Sequence, residues 1–300
     1  MRHIIHSKDI TRQEMEALFT DANKLEKNPM PNLLQGKILA SLFFEPSTRT
    51  RFSFECAIYR LGGSIITAEN AKEFSSAAKG ESIEDTISTM CAYADAIVMR
   101  HYQEGAASSA AKVSTVPIIN AGDGISQHPT QTLLDLYTIK REHNQIDGIS
   151  IVIVGDLRNG RTVKSLLWGL SKFNDVSVTL VSPEGLRLPK EAVNEFIGAG
   201  LEIKETDDLI GTIGDTDIVY QTRIQKERFP DMAEYEKYVG CYRIDVALVS
   251  KMRKNALLLH PLPRVDEIAP EVDELPQAAY FKQVKYGVLV RMAVLKWIMS

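Results

Sequence analysis

Cysteine is scarce in this sequence, and the few cysteines are scattered. Cys56, Cys91 and Cys241 are the only three in 300 residues. None belongs to a CxxC pair or stands at a spacing typical of metal ligands. A sparse, odd-numbered set argues against a disulfide framework and predicts a reducing compartment. We expect no bound metal.

Long apolar runs and an excess of positive charge are also missing. No apolar stretch reaches the length of a membrane span, and the N-terminal segment alternates charged with apolar residues, unlike a signal peptide. The formal net charge is −4, so no basic surface predicts nucleic acid or an anionic membrane as a partner. We therefore expect a cytoplasmic protein in which any anionic ligand is held by a local cluster of Arg, Lys and His.

Strand-like apolar segments alternate with amphipathic helices along the chain, which is typical of parallel βαβ units. The predicted strands are residues 37–44, 64–68, 96–99 and 116–120 in a first series, and 149–156, 176–181, 201–205, 217–222 and 256–260 in a second. A chain of 300 residues suffices for two domains of ordinary size. We predict an α/β fold with two doubly wound parallel-sheet lobes, and a long amphipathic helix over residues 281–299.

The clearest candidate site follows the first predicted strand. Residues 44–51, FEPSTRTR, come directly after this strand and open a helix. Backbone amides at a helix start, hydroxyl groups and a guanidinium together suit an anion. The alternative is an ordinary capped helix with surface arginines. Because ligands bind at the carboxyl ends of strands in doubly wound sheets, the position favours the anion site.

Two further strands of the first lobe are followed by polar motifs. MRH at residues 99–101 ends one strand, and AGDG at 121–124 leads into HPTQ at 128–131. Alone, Arg100 could be a surface residue and His128 a helix cap. In an acidic protein, however, cationic and hydrogen-bonding groups at the ends of three strands of one lobe indicate that an anion binds there.

The second lobe opens with a motif that nearly matches a phosphate-binding loop. GDLRNGRT at residues 155–162 departs from GxxxxGK[ST] because Arg161 replaces the lysine, and it does not fit GxGxxG. We expect no nucleotide here, but Arg161 suits a carboxylate or phosphate contact. TRIQKER at 222–228 and HPLPR at 260–264 also follow strands. By themselves they could be a solvated charge run and a rigid proline loop.

Taken together and in this order, the motifs strongly resemble those of the catalytic chains of aspartate carbamoyltransferases, from about residue 1 to the end. STRT and HPTQ alone would indicate only the wider transcarbamoylase superfamily. HPLPR and RxQKER distinguish the aspartate enzymes from ornithine enzymes, which carry HCLP. The resemblance implies transfer of the carbamoyl group of carbamoyl phosphate to the amino group of L-aspartate, in de novo pyrimidine synthesis, without a cofactor.

The resemblance also implies a division of the chain into domains. It predicts a carbamoyl-phosphate-binding domain formed by residues 1–130 with the C-terminal helix 284–300, and an aspartate-binding domain formed by residues 131–283. Interdomain helices would join the two lobes. From the sequence itself, the best candidate boundary is the polar stretch HNQIDG at residues 143–148.

Roles for individual residues are implied in the same way. Carbamoyl phosphate would be bound by Ser47, Thr48, Arg49, Thr50, Arg100, His128, Gln131, Pro261, Leu262 and Pro263. L-Aspartate would be bound by Lys79, Arg161, Arg223 and Gln225. Thr50, Lys79, Arg100 and His128 would take part in catalysis. Glu45, Arg161 and Arg228 match positions that form an interdomain latch in the closed state.

The resemblance further implies a homotrimer with shared active sites. The loop at residues 73–81 is similar to one that enters the neighbouring subunit's site, bringing Lys79 and a phosphate contact from Ser75 or Ser76. Such trimers are compatible with regulatory chains that build a larger assembly. Two alternatives stay open. One is an inactive scaffold, which predicts losses in these motifs. The other is an enzyme for another acceptor such as ornithine, whose cationic side chain would not suit Arg161, Arg223 and Lys79.

Overall fold

A computed structural model describes residues 1–74 and 76–300, and for residues 72, 74, 76 and 77 it describes only the backbone. Ser75 and the side chain of Ser76, both named above as candidate phosphate contacts, therefore lie outside the described residues. The chain divides into two compact units. Unit 1 comprises Met1–Leu134 and Val284–Ser300, and unit 2 comprises Asp135–Gln283.

Unit 1 is built on a parallel sheet. Its strands are Ile38–Phe43 (β1), Ser64–Glu69 (β2), Ala96–His101 (β3) and Ile118–Asp123 (β4), in the order β2-β1-β3-β4. Its helices are Arg12–Lys27 (α1), Thr48–Arg60 (α2), Ala71–Phe74 (α3), Ile83–Cys91 (α4) and Ala106–Val113 (α5). Strands β1, β3 and β4 are almost wholly buried, because helices cover both faces of a sheet of this kind.

Unit 2 repeats this architecture with a five-stranded parallel sheet. Its strands are Ser150–Val154 (β5), Ser177–Val181 (β6), Glu202–Thr206 (β7), Ile218–Gln221 (β8) and Leu257–Leu259 (β9), in the order β7-β6-β5-β8-β9. The chain passes from unit 1 to unit 2 within Pro129–His143 (α6) and returns within Tyr280–Met299 (α12). Between them lie Arg161–Leu170 (α7), Lys190–Gly198 (α8), Ile210–Ile213 (α9), Met232–Glu236 (α10) and Val246–Val249 (α11).

The predicted α/β fold with two parallel-sheet lobes is confirmed, and each predicted strand is present with small shifts at its ends. One shift has a clear steric cause. The predicted strand 149–156 ends at Val154 because Gly155, with φ +123°, turns the chain. A Cβ on Gly155 would lie 2.3 Å from the carbonyl oxygen of Thr222, so glycine lets the loops after β5 and β8 approach each other.

The C-terminal part of α12 is anchored in unit 1 by polar contacts. Arg291 is buried, with 3% of its surface exposed, and it donates a hydrogen bond to the hydroxyl of Ser53 at 2.8 Å. Lys296 forms an ion pair with Asp21 of α1 at 2.8 Å. Helix α1 in turn buries the stripe Met15, Leu18, Phe19, Ala22 and Leu25. Of the helices that the structure describes, none combines the length and the apolar character needed to cross a membrane.

Candidate active site

The three polar motifs of unit 1 meet at the carboxyl edge of its sheet. Strand β3 lies between β1 and β4. Phe44, just after β1, donates its backbone N–H to the carbonyl of Arg100 at 2.9 Å. Gly124, just after β4, donates to the carbonyl of His101 at 3.0 Å. The loops that carry STRT, Arg100 and HPTQ are therefore neighbours, as the sequence predicted from their positions after strands.

Helix α2 begins without the side-chain hydrogen bond of an ordinary N-cap. Ser47 occupies the N-cap position, but its side chain makes no capping hydrogen bond. Thr48 and Arg49 are exposed, whereas Thr50 is buried. The first backbone N–H groups of a helix have no intrahelical acceptor, so this helix start suits an anion held by amides and hydroxyls together.

Arg100 is held in place by an acidic side chain of the same unit. Its Nε atom lies 3.1 Å from Oε2 of Glu45, and the Arg100 side chain is only 13% exposed. A guanidinium N–H also reaches the carbonyl of Ala121, at 3.5 Å. Glu45 was predicted to join a latch with Arg161 and Arg228; those residues belong to unit 2, and the latch stays a prediction.

Thr50 of α2 lies beside His128, the residue that directly precedes α6. The Thr50 hydroxyl lies 3.5 Å from Nε2 of His128, and both residues are buried. Gln131, one turn later, donates its backbone N–H to the carbonyl of His128 at 2.9 Å. Two hydrogen-bonding side chains thus lie beside each other in a protected position, where such groups act more strongly than in water.

Asp123 supports the loop that precedes His128, and the sequence reading did not single it out. Its buried carboxylate accepts hydrogen bonds from the backbone N–H groups of Gln127, at 3.2 Å, and Gly105, at 3.0 Å. The amide of Asn120 donates to it at 3.0 Å. The only sequence signal was its place in the GDG turn. Lys79, by contrast, is exposed at the end of a short 3-10 helix, and its role in a neighbouring subunit stays a prediction.

In unit 2 the three candidate motifs also follow neighbouring strands, β5, β8 and β9. Arg161 is the first residue of α7, and Arg223 follows β8 by two residues. The hydroxyl and the backbone N–H of Thr222 donate to the carbonyl of Val154 at 3.0 and 2.8 Å. These bonds tie the loop that carries Arg223 to the loop that carries Arg161.

Arg223 is engaged by a carboxylate in this structure. Both terminal nitrogens of its guanidinium donate to Glu227, one of them at 3.0 Å. The hydrogen bonds from Arg223 to Glu227 raise the pKa of the arginine above its ordinary value. A fork that already holds one carboxylate has the geometry to hold that of a substrate. The sequence alone could not distinguish this arrangement from a solvated charge run.

Asp156 is a buried carboxylate that sequence reasoning missed. It is completely buried, and burial raises its pKa, although hydrogen bonds from Asn159 oppose the shift. It accepts the backbone N–H of Asn159 at 3.0 Å and also that of Gln225. Asp156 therefore links the loop before Arg161 to the segment that contains Arg223 and Gln225.

If Arg223 and Gln225 bind L-aspartate, as the resemblance of the motifs implies, Asp156→Asn is expected to raise the KM for L-aspartate about tenfold, because the new amide group cannot accept every N–H bond that the carboxylate accepts. The KM for carbamoyl phosphate should change less than about twofold, since the STRT, Arg100 and HPTQ motifs that the resemblance assigns to it lie in unit 1. Steady-state kinetics would measure both values, with the exposed Asp175→Asn as control. An unchanged KM for aspartate would show that Asp156 does not position the aspartate-binding segment.

Each unit thus gathers cationic and hydrogen-bonding groups at the carboxyl ends of a doubly wound parallel sheet. This is the position at which α/β proteins of that class bind their ligands. Together with the acidic net charge, −4, it defines an α/β protein whose strand-end loops have the local positive charge and the N–H donors that suit anionic ligands.

Comparison with known proteins identifies the family. The carbamoyl-phosphate-binding domain model of aspartate/ornithine carbamoyltransferases matches residues 2–141, and the aspartate/ornithine-binding domain model matches residues 147–298. The aspartate carbamoyltransferase catalytic subunit of Thermoplasma acidophilum is 54% identical over 98% of this chain and 97% of its own length. The chloroplastic enzyme of Arabidopsis thaliana is 50% identical over 98% and 76%.

Solved structures agree. The catalytic subunit of M. jannaschii aspartate transcarbamoylase matches with a TM-score of 0.91 at 53% identity, covering 100% of this chain and 98% of its own. The Trypanosoma cruzi enzyme in complex with carbamoyl phosphate and aspartate matches with a TM-score of 0.93 at 39% identity, covering 100% and 97%. The chain belongs to the aspartate/ornithine carbamoyltransferase family.

Proposed function

We propose that this chain is an aspartate carbamoyltransferase that transfers the carbamoyl group of carbamoyl phosphate to the amino group of L-aspartate. The products are N-carbamoyl-L-aspartate and phosphate, in de novo pyrimidine synthesis. The observation that carries the proposal is the meeting of STRT, Arg100 and HPTQ at adjacent strand ends. Relatives of about half-identical sequence that bear this enzyme name support it.

Unit 1 is assigned the phosphate and the carbamoyl oxygen. The helix start at Ser47 and Thr48, with the exposed Arg49, is proposed to cradle the phosphate. Arg100 would then bridge the phosphate and the carbamoyl oxygen, which its position directly beside the Phe44 backbone supports. The resemblance of the motifs assigns the carbamoyl amino group to Gln131 and to the turn formed by Pro261, Leu262 and Pro263.

Unit 2 is assigned L-aspartate. Arg161 and Arg223 are proposed to bind its two carboxylates, with Gln225 assisting. Support comes from the two hydrogen bonds that Arg223 donates to Glu227, since the same planar guanidinium can bind a substrate carboxylate in the same two-point manner. The backbone tie between Asp156 and Gln225 holds the same segment.

The chemistry follows from these groups. The deprotonated amine of aspartate attacks the carbamoyl carbon, and negative charge develops on the carbamoyl oxygen. Thr50, Arg100 and His128 are proposed to donate hydrogen bonds to this oxygen; such donors contribute about 10²–10³-fold in rate each. Holding two anions together supplies much of the remainder through proximity. The departing phosphate can accept the amine's proton, so the proposal requires no metal and no organic cofactor.

The proposed assembly is a cytoplasmic homotrimer in which Lys79 completes the site of a neighbouring subunit. The proposal is compatible with regulatory chains that join trimers into a larger assembly. Its support is the position of Lys79 at the exposed end of a short 3-10 helix rather than within the sheet edge of its own unit. Native mass measurement of the purified chain tests the trimer.

The test of the proposed function is a carbamoylation assay with L-aspartate against L-ornithine as acceptor. Aspartate is expected to be carbamoylated and ornithine to give no product above background, because Arg161 and Arg223 would repel a cationic side chain. Carbamoylation of ornithine instead would reassign the acceptor. Absence of product with either acceptor, from a folded trimer, would favour the inactive scaffold.

Arg223→Ala is expected to raise the KM for L-aspartate about 10- to 100-fold, since it removes a charge-assisted contact to a carboxylate. The KM for carbamoyl phosphate should stay within about twofold. The matched control is Arg253→Ala, an arginine of the same unit that pairs with Asp217 at 2.7 Å and is 48% exposed. Equal losses for both substrates would show that the aspartate contact is wrongly assigned.

A further inference from the structure

The loop that follows β9 is closed into a ring by a buried histidine–glutamate pair. His260 Nε2 lies 2.7 Å from Oε1 of Glu267, and the two side chains are 1% and 6% exposed. Neither residue received a role from the sequence motifs, which drew attention to the prolines between them. A buried pair of polar side chains requires complete hydrogen bonding to be stable.

Hydrogen bonds around this pair fix the tautomer of the imidazole. Leu262 donates its backbone N–H to Nδ1 of His260 at 2.7 Å, so Nδ1 is an acceptor. The proton of the neutral ring therefore sits on Nε2 and is donated to Glu267. The other carboxylate oxygen accepts the backbone N–H groups of Val265, at 3.0 Å, and Asp266, at 3.1 Å.

The hydrogen bonds around Glu267 favour its ionised form. Burial by itself would raise the pKa of Glu267, but the hydrogen bond from His260 and that from the backbone of Val265 outweigh it and hold the pKa below its ordinary value. A carboxylate that accepts several N–H bonds is stabilised in its ionised form. At neutral pH the imidazole N–H of His260 therefore faces an ionised carboxylate, that of Glu267.

The turn enclosed by the ring has an unfavourable backbone conformation. Leu262 has φ +55°, a left-handed region that a leucine rarely adopts. Such a residue persists only where its surroundings hold it. The hydrogen bond that His260 accepts comes from the backbone N–H of this same residue. The imidazole is therefore placed to maintain the orientation of the carbonyl groups of Pro261 and Leu262.

His260 is itself anchored within unit 2. Its backbone N–H donates to the side-chain oxygen of Gln283 at 2.9 Å. The amide nitrogen of Gln283 donates to Asp135 at 2.7 Å, and the hydroxyl of Tyr220 donates to the same carboxylate at 2.8 Å. The main chain and the imidazole of His260 are both held by hydrogen bonds. The imidazole can therefore hold the turn at residues 261–263 in one conformation.

We propose that His260 is a positioning residue, which holds the carbonyls of Pro261 and Leu262 so that they select a ligand bearing an –NH₂ group over one bearing a methyl group. The inference rests on the proposed function, in which these carbonyls receive the carbamoyl amino group. In this assignment His260 acts on the Leu262 backbone, and neither the phosphate nor the reacting carbon is assigned to it. Its effect is confined to recognition of the amide.

Two stable phosphonates test this selection. Phosphonoacetamide and acetonylphosphonate share the phosphonate and the carbonyl, and differ in carrying –NH₂ or –CH₃. Calorimetric Kd values would be measured with the wild-type protein and with His260→Gln, which can still donate to Glu267 but offers no acceptor at the Nδ1 position. The wild-type preference for the amide is expected to fall at least about fivefold in this variant. The affinity for inorganic phosphate should stay unchanged.

His260→Asn is the conservative variant, because its side-chain oxygen lies near the position of Nδ1 and can accept the Leu262 N–H. We expect it to retain more of the amide preference than His260→Gln. Glu267→Gln is a second test variant in case His260→Gln does not fold. It keeps the shape of the glutamate side chain but removes the negative charge that accepts the His260 N–H. It should lower the preference at least about twofold. An unchanged preference in folded His260→Gln or in folded Glu267→Gln would overturn the inference.

Asp273→Asn separates positioning from general weakening of the loop. Asp273 lies in the 3-10 helix Pro270–Glu274, after the loop closed by His260 and Glu267, and it accepts hydrogen bonds from Arg264 of that loop, one of them at 2.7 Å. This variant is expected to lower the melting temperature and keep the amide preference; losing the preference equally would overturn the inference. The proposed function is judged separately by aspartate carbamoylation in the wild-type protein. A wild-type enzyme that carbamoylates aspartate but binds both phosphonates equally would refute only the role of His260.

Discussion

Arg100→Ala is expected to lower kcat by about 10²–10³-fold while the protein stays folded. The Arg100 side chain lies at a strand end, 13% exposed, and its polar partners are Glu45 and the carbonyl of Ala121 rather than the apolar core. Removing it takes away a donor to the developing oxyanion, and it does not create a cavity among packed side chains. Product formation with both substrates saturating would measure kcat, and thermal unfolding would check the fold.

Two further variants sharpen this experiment. Arg100→Lys keeps the charge but loses the planar fork, so its kcat should fall between those of the wild type and the alanine variant. Arg60→Ala, an exposed arginine at the end of α2, is the control and should leave kcat unchanged. A near-normal kcat in Arg100→Ala would remove this residue from the phosphate and oxyanion assignment.

Lys79→Ala is expected to be nearly inactive by itself, and its activity should be partly restored by mixing with Arg100→Ala chains. The reason is the proposed sharing of sites: Lys79 and Arg100 of one site would come from different subunits. Reversible dissociation and reassociation of the two variants would form mixed trimers. At some interfaces, an intact lysine would then meet an intact arginine.

The closed geometry of a trimer limits the recovery. With head-to-tail interfaces, a ring of two kinds of chain contains at most one site with both residues intact, so activity of a mixed trimer should stay below about a third of the wild-type value. Separately reassociated Lys79→Ala and Arg100→Ala samples are the controls and should stay inactive. Mixed trimers that are visible by native mass measurement yet inactive would contradict the shared site.

Several features of the site could be predicted because local sequence carries them. A helix start after an apolar strand is visible in the order of residues, and the structure places STRT at the start of α2, in the loop that follows β1. Arg100 and HPTQ could be assigned to the same sheet edge, because parallel strands bring their carboxyl ends together. Family resemblance then supplied roles that local pattern could not, including those of Lys79 and Gln225, which stay predictions.

Other supporting groups could not be found in this way. Asp156, His260 and Glu267 accept hydrogen bonds from backbone N–H groups. The spacing of residues in a sequence does not predict which N–H groups a folded loop will direct towards a side chain. In the sequence, Asp156 looked like the end of a strand and His260 like the start of a proline loop. Their burial, 0% and 1% exposed, shows that they are internal supports.

By itself, the sequence determined the two-lobed parallel α/β fold and the gathering of cationic and hydrogen-bonding groups at its strand ends, because hydrophobic periodicity and the order of strands and loops are properties of the chain. Tertiary structure alone decided which polar groups hold those loops in shape. The Leu262 backbone in its left-handed conformation and the His260 ring that accepts its N–H illustrate the reason. Such a contact depends on atomic positions set by the packing of β9 and α12, and hydrogen-bond geometry tolerates errors of only a few tenths of an ångström.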